Sequence, residues 1–221
     1  MLGFISTDRP ELLRKATLSL KEEIRKDKYL EKIPSLPKTL NAFHAKDDCP
    51  EVREKVFKQI LKLDFKAEFV VARKIEAIFK KRHQSKMGVF YNDLFSKLFE
   101  NKIRGNKQNI IYYAVRGNRD RQSVVSEAVQ TAILSFEERW KIKIDSEVIV
   151  QPQSPVGEPC LQIIDYMNWA LQRAFVKNED RYLKFVEEKI SFLVDIYDTD
   201  KYPKNFYNRR NKFDVKKISP L

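Results

Sequence analysis

The sequence predicts an α/β protein, a mixed sheet flanked by helices, and two observations predict it. Short runs rich in β-branched and aromatic residues (Met1 to Ser6, Phe65 to Arg73, Asn109 to Val115, Glu147 to Gln151) alternate with longer stretches of helical period. Strands alternating with helices imply a sheet covered on its faces. The chain of 221 residues, 43% of them hydrophobic, can bury a sizeable core. Its 5 glycines, 9 prolines and 33% charged residues exclude collagen-like, mucin-like and disordered classes.

Taken in order, Met1 to Ser6 reads as an apolar strand. Asp8 then caps a helix to about Lys28, with Leu12, Leu13, Ala16, Leu20 and Ile24 near helical spacing. After a loop holding Pro34 and Pro37, Phe43 and His44 close a short strand. Asp48, Pro50 and Glu51 form a capping-box-like start to a helix ending near Leu63. Phe65 to Arg73 is a strand and Val89 to Lys102 a helix, with His83 in a solvated basic loop between them. Asn109 to Val115 reads as a buried strand, and Asn118 or Asp120 caps a helix to Trp140. Glu147 to Gln151 is a strand, a long helix begins at Cys160, and Arg181 to Ile196 reads as a further helix.

The 43 Lys and Arg exceed the 31 Asp and Glu by 12, a field that attracts polyanions such as nucleic acid; a lysine-rich solvated face has the same composition. No apolar run approaches the roughly 18 residues that cross a bilayer, and the start carries no basic leader, so no membrane is expected and the cytoplasm is the expected location. Cys49 and Cys160 lie far apart without zinc spacing and read as reduced thiols. No glycine-rich nucleotide loop is present in the sequence.

Four groups of residues could carry chemistry. Asp165 interrupts an apolar helix, on a polar and aromatic stripe with Gln162, Trp169 and Gln172. A carboxylate there needs a counter-charge, such as Arg173 or Arg116, or a cation in a cleft. His44, Asp47 and Asp48 crowd a strand end, and if Asp47 approaches Asp165 the pair would suit Mg2+ or Mn2+ and activate water for phosphodiester cleavage. Arg116 and Arg119 follow a strand, where a phosphate clamp and surface ion pairs are both open readings. Residues 201–221 alternate cations, Arg209 and Arg210 among them, with stackable rings. That pattern suits single-stranded nucleic acid, or a segment folded back with its rings packed.

Three blocks occur together in order: Phe43-His-Ala-Lys-Asp-Asp-Cys-Pro-Glu-Val-Arg-Glu-Lys-Val-Phe57, Tyr113-Ala-Val-Arg-Gly117, and Leu161-Gln-Ile-Ile-Asp-Tyr-Met-Asn-Trp-Ala-Leu-Gln-Arg173 with Asp180-Arg-Tyr182. They resemble the bacterial domain of unknown function 3800 family over nearly the whole chain. The resemblance implies a ribonuclease-H-like mixed sheet in a single domain, 1–200, followed by the basic aromatic tail 201–221. It implies a divalent-metal-dependent nuclease or nucleic-acid-processing protein, with His44, Asp47 and Asp165 at matching positions. Family members begin with a strand ending Asp-Glu-Ser-Gly, which has no counterpart here; Met1 to Ser6 looks like the strand after it. The resemblance therefore implies a sheet lacking its first strand, to be filled by an upstream segment or a protein partner, and a site incomplete as written. A non-catalytic nucleic-acid-binding or accessory subunit is the alternative expectation.

Overall fold

The structure is a computed structural model that describes residues 1–73, 75–103, 105–115 and 122–219. Strand β1 (Leu2–Ser6) leads into α1 (Pro10–Lys26), α2 (Leu36–Asn41) and α3 (Pro50–Lys62), and β2 (Lys66–Val71) follows. Then come α4 (Glu76–His83), α5 (Met87–Phe99), β3 (Gln108–Ala114), α6 (Gln122–Trp140), β4 (Glu147–Gln153) and α7 (Cys160–Lys177). The chain closes with α8 (Arg181–Phe185), β5 (Ile190–Asp195) and β6 (Phe206–Tyr207). No described helix is long and apolar enough to cross a membrane.

Proline starts the first three helices: Pro10, Pro37 and Pro50 each lie in a first turn, where the ring fixes φ and no donor is lost. The expected cap by Asp8 is not made. Arg9 takes the cap position, and Thr7 Oγ1 accepts its amide at 3.1 Å. The expected strand at Phe43 and His44 is also absent, because the residues before it form α2 and those after it form a tight turn.

Two sheets result. The larger has the order β1-β2-β5-β6, with β1 antiparallel to β2, β2 parallel to β5, and β5 antiparallel to β6. The smaller pairs β3 parallel with β4, Ile110 opposite Ile149. The stretch expected to be helical to Ile196 breaks after Phe185, and Ile190-Ser-Phe-Leu-Val-Asp195 becomes the inner strand β5. Its β-branched and aromatic alternation outweighs the helical spacing once it can pair with β2. Strand β3 is not the buried strand expected, being an edge strand with Ile110 exposed.

Period-2 alternation sorts the larger sheet's side chains onto two cores. Ile5, Phe69, Val71 and Leu193 face α1, α3 and α7, packing with Leu13, Ile60 and Met167. Phe4, Val70, Phe192 and Val194 face α4 and α5, packing with Phe79, Phe90 and Leu94. His83, expected in a solvated loop, ends α4 fully buried, bonded to the Tyr197 hydroxyl and edge-on to Phe90. Helix α7 lies against both β1 and β3, so it spans the two sheets. The C-terminal stretch is packed: Phe213 stacks on Phe175 at 5.2 Å, and Ser219 Oγ donates to Asp198 at 2.6 Å. Arg73 reaches Asp195 at 2.7 Å and Asp198 at 3.3 Å in the same corner.

The start of α7 is fixed by Glu158, which accepts from Arg14 Nη2 at 2.6 Å and from the Cys160 amide at 3.0 Å. Burial pushes the Glu158 carboxyl up, but Arg14 and the Cys160 amide outweigh burial and hold it below the ordinary glutamate value. A lowered folded value stabilises the protein above the unfolded value and is lost as pH falls. Glu158→Gln should therefore flatten the acid limb of a stability profile below about pH 4.5, measured by urea unfolding at a series of pH values. An unchanged acid limb would remove this role. Gly3 meets α7 closely, since a Cβ there would lie 2.4 Å from the Phe69 ring and 2.9 Å from Asn168 Oδ1. Gly3→Ala should cost about 1–3 kcal/mol, read as a lower urea midpoint at constant slope.

Candidate functional site

The site is built where the turn between α2 and α3 meets α7. The chain leaves α2 through Ala42 in extended geometry, and Phe43 donates its amide to Gln162 Oε1 of α7 at 2.9 Å. The chain then turns, and the amides of Asp47 and Asp48 both reach the His44 carbonyl at 2.9 Å. Asp48 closes the turn from within. Only 2% exposed, its carboxylate accepts from Thr39 Oγ1 at 2.5 Å, the His44 amide at 2.9 Å and the Tyr166 hydroxyl at 2.6 Å. It does not cap α3 as the sequence had implied; Cys49 holds that position without a side-chain bond. Burial, then the Asp48 charge, pushes the Tyr166 phenol well above its ordinary value, so it stays a donor.

This turn presents His44 between two acids. Its Nδ1 lies 3.8 Å from Asp47 Oδ2 and its Nε2 lies 3.9 Å from Asp165 Oδ1. Both distances are ion-pair separations, too long for direct hydrogen bonds. Asp165 also accepts the Ala45 amide at 3.1 Å, which ties α7 to the turn. The side chains are 51% exposed at His44, 59% at Asp47 and 28% at Asp165, so the three form an open face. Asp165 is thus less enclosed than its apolar helix implies, being partnered by a turn amide and an imidazole. Arg173, one counter-charge offered by the sequence, is engaged with Glu179 at 2.6 Å. Arg116 and Arg119 lie outside the described residues.

The wall beside this face is aromatic and cationic. Trp169, one turn beyond Asp165 on α7, has the Arg53 guanidinium 5.3 Å and the Arg173 guanidinium 5.6 Å from its ring centroid, with Tyr182 edge-on at 4.7 Å. Arg53 Nε donates to the Asp48 carbonyl at 2.8 Å. Sequence reasoning passed over Arg53, Thr39 and Tyr166. The one signal available was that Tyr166 adjoins the singled-out Asp165 on an apolar helix.

Two further sets of residues stand apart. Arg209 and Arg210 are exposed, and neither guanidinium pairs with an acid among the described residues. Arg209 lines a cavity of about 300 Å³ with Leu183, Tyr207 and Phe213, which none of His44, Asp47 and Asp165 lines. The two cysteines are free. Burial pushes Cys49 upward and Cys160 up to about 12, which suits unreactive thiols.

A divalent cation requires more than this face offers. Mg2+ takes six oxygen donors in a near-octahedral shell. Asp47 and Asp165 are of the right chemistry, but the His44 ring lies between them. Among the described residues no group of three or more His, Cys, Asp and Glu side chains could hold a metal ion. The donor set as placed does not fit the ion. No family model, curated protein or solved structure matches this chain. What fold and face define together is an α/β protein carrying a carboxylate-flanked histidine beside an arginine and tryptophan wall.

Tyr166→Phe leaves the Asp48 carboxylate short of one donor in a buried place. The expected cost is about 1–3 kcal/mol by denaturant unfolding. No change in midpoint would show that Asp48 does not depend on Tyr166.

Proposed function

We propose that this chain is a nucleic-acid-processing protein of ribonuclease-H-like type that receives a phosphodiester at the His44, Asp47 and Asp165 face. The observation that carries the reading is convergence. Residues 118 positions apart in sequence, Asp47 and Asp165 (165 − 47), flank one imidazole on an open face. The net charge of +12 supports a polyanionic partner, and Arg209 and Arg210, exposed and without an ion pair among the described residues, offer cations to its backbone. An imidazole with a carboxylate on either side can be oriented to accept or deliver a proton at a phosphate oxygen.

The sheet arrangement supports the same reading. Strands β1 and β3 are both edge strands in contact with α7, so each has a side to which a partner's strand could be added.

Cleavage of labelled single- and double-stranded RNA and DNA, with and without Mg2+ or Mn2+, tests the proposal. Cleavage by the wild type that falls at least about tenfold in Asp165→Asn and in His44→Ala is expected if this face does the chemistry. Cleavage unaltered in both variants would place the chemistry elsewhere. The incomplete donor set favours a second reading, a binding module. Salt-sensitive binding with no cleavage under any metal condition would select it.

A further inference from the structure

We infer that Arg53 is the phosphate-binding residue of this face, presenting its guanidinium fork to the backbone of single-stranded nucleic acid; the inference rests on the proposed nucleic-acid reading. Arg53 is held in place by its surroundings. Nε is fixed by the Asp48 carbonyl at 2.8 Å, and the guanidinium lies over Trp169, 5.3 Å from the ring centroid. One edge of the group is therefore occupied and one side is shielded, which leaves the two terminal nitrogens as the available fork.

Other part-buried arginines are engaged with acids: Arg14 with Glu158, Arg73 with Asp195 and Asp198, and Arg173 with Glu179. Arg53 has no ion pair among the described residues, although the exposed carboxylate of Glu51 lies near enough to feel its charge. Its location is also specific. Trp169 follows Asp165 by one turn of α7, and the charges of both Arg53 and Asp165 act on the Tyr166 hydroxyl. A planar guanidinium already immobilised on an aromatic face loses little freedom when it accepts a phosphate through two parallel N–H bonds. The phosphate would then stand beside His44 and Asp165. The Coulomb repulsion of Asp47 and Asp165 for the incoming anion is what an adjacent arginine, without an ion pair among the described residues, offsets.

The experiment is fluorescence anisotropy with a short labelled single-stranded oligonucleotide across a salt series, for wild type, Arg53→Gln and Arg53→Lys, with thermal midpoints measured alongside. Arg53→Gln should bind about tenfold more weakly and lower the slope of log affinity against log salt by about one. A purely structural role would lower the midpoint and leave that slope unchanged. Arg53→Lys keeps the charge and loses the fork, so its affinity should fall by about threefold or more at unchanged slope. If Arg53→Gln does not fold, Arg53→Lys decides, and wild-type affinity in that variant overturns the inference. A wild type that binds, with an Arg53→Gln variant that binds equally well, overturns this inference alone. A wild type that binds no oligonucleotide overturns it together with the reading it rests on.

Discussion

The buried carboxylate of Asp48 is the constraint on which the candidate site depends. Removing a carboxylate from water costs several kcal/mol, on the order of the whole stability margin of a small domain, unless donors replace the lost hydration. Here three donors do so, and they come from three places: Thr39 in α2, the His44 backbone in the turn and Tyr166 in α7. The carboxylate therefore converts a local need for hydrogen bonds into a tertiary fixture. The turn cannot shift without stranding the charge, and α7 cannot rotate without withdrawing Tyr166. His44 takes its place from this arrangement, since its own amide is one of the three donors. Arg53 takes its place from the same residue's carbonyl.

Helix α7 carries that constraint into the rest of the fold. Its buried side, with Met167, Ala170 and Leu171, belongs to the core shared with α1, α3 and the larger sheet. Its N-terminus is held by Glu158 and Arg14, and Arg14 also lies over the Tyr112 ring of β3, 5.8 Å from its centroid. One helix thus connects the larger sheet, the smaller sheet and the turn at His44. The close approach at Gly3 shows how tightly it is seated on β1. A polar atom is left over there, for Asn168 Oδ1 is buried without a hydrogen-bond partner among the described residues. Buried unsatisfied oxygens are costly and uncommon. This one lies against Gly3 of β1, an edge strand whose outer side pairs with no other strand among the described residues.

Most of the described helices and four of the six described strands are legible in the sequence because their signals are local: proline at a first turn, helical apolar spacing, short β-branched runs. Strand β5 is not. Its apolar pattern fits a helix end as well as a strand, and only the parallel partner β2, more than a hundred residues away, decides between them. His83 was misread for a related reason. The basic residues around it are solvated, while the ring itself turns inward to Tyr197 and Phe90, a contact between distant segments. In the site, Asp165, Asp47 and His44 stood out as polar residues in apolar or crowded surroundings. Asp48 looked explained by a helix cap, and that adequate local reading hid its tertiary role. Arg53 gave no signal at all, because an arginine in the first turns of an amphipathic helix is ordinary until its neighbours are known.

The charge balance of the face follows from these placements. Asp47 and Asp165 put two negative charges on an open surface, with the imidazole between them and Arg53 at the edge. At such exposure the Coulomb energies are modest, because water screens each pair to about 1 kcal/mol at contact distance. A ligand that covers the face would remove that water and strengthen every term together. An anionic ligand would be repelled by the two acids and drawn by the arginine, so its orientation would be set by where the arginine sits. Arg53 cannot follow the ligand elsewhere, since the carbonyl of Asp48 and the Trp169 ring hold it. The same buried aspartate that fixes the histidine therefore fixes the direction from which a phosphate could approach it.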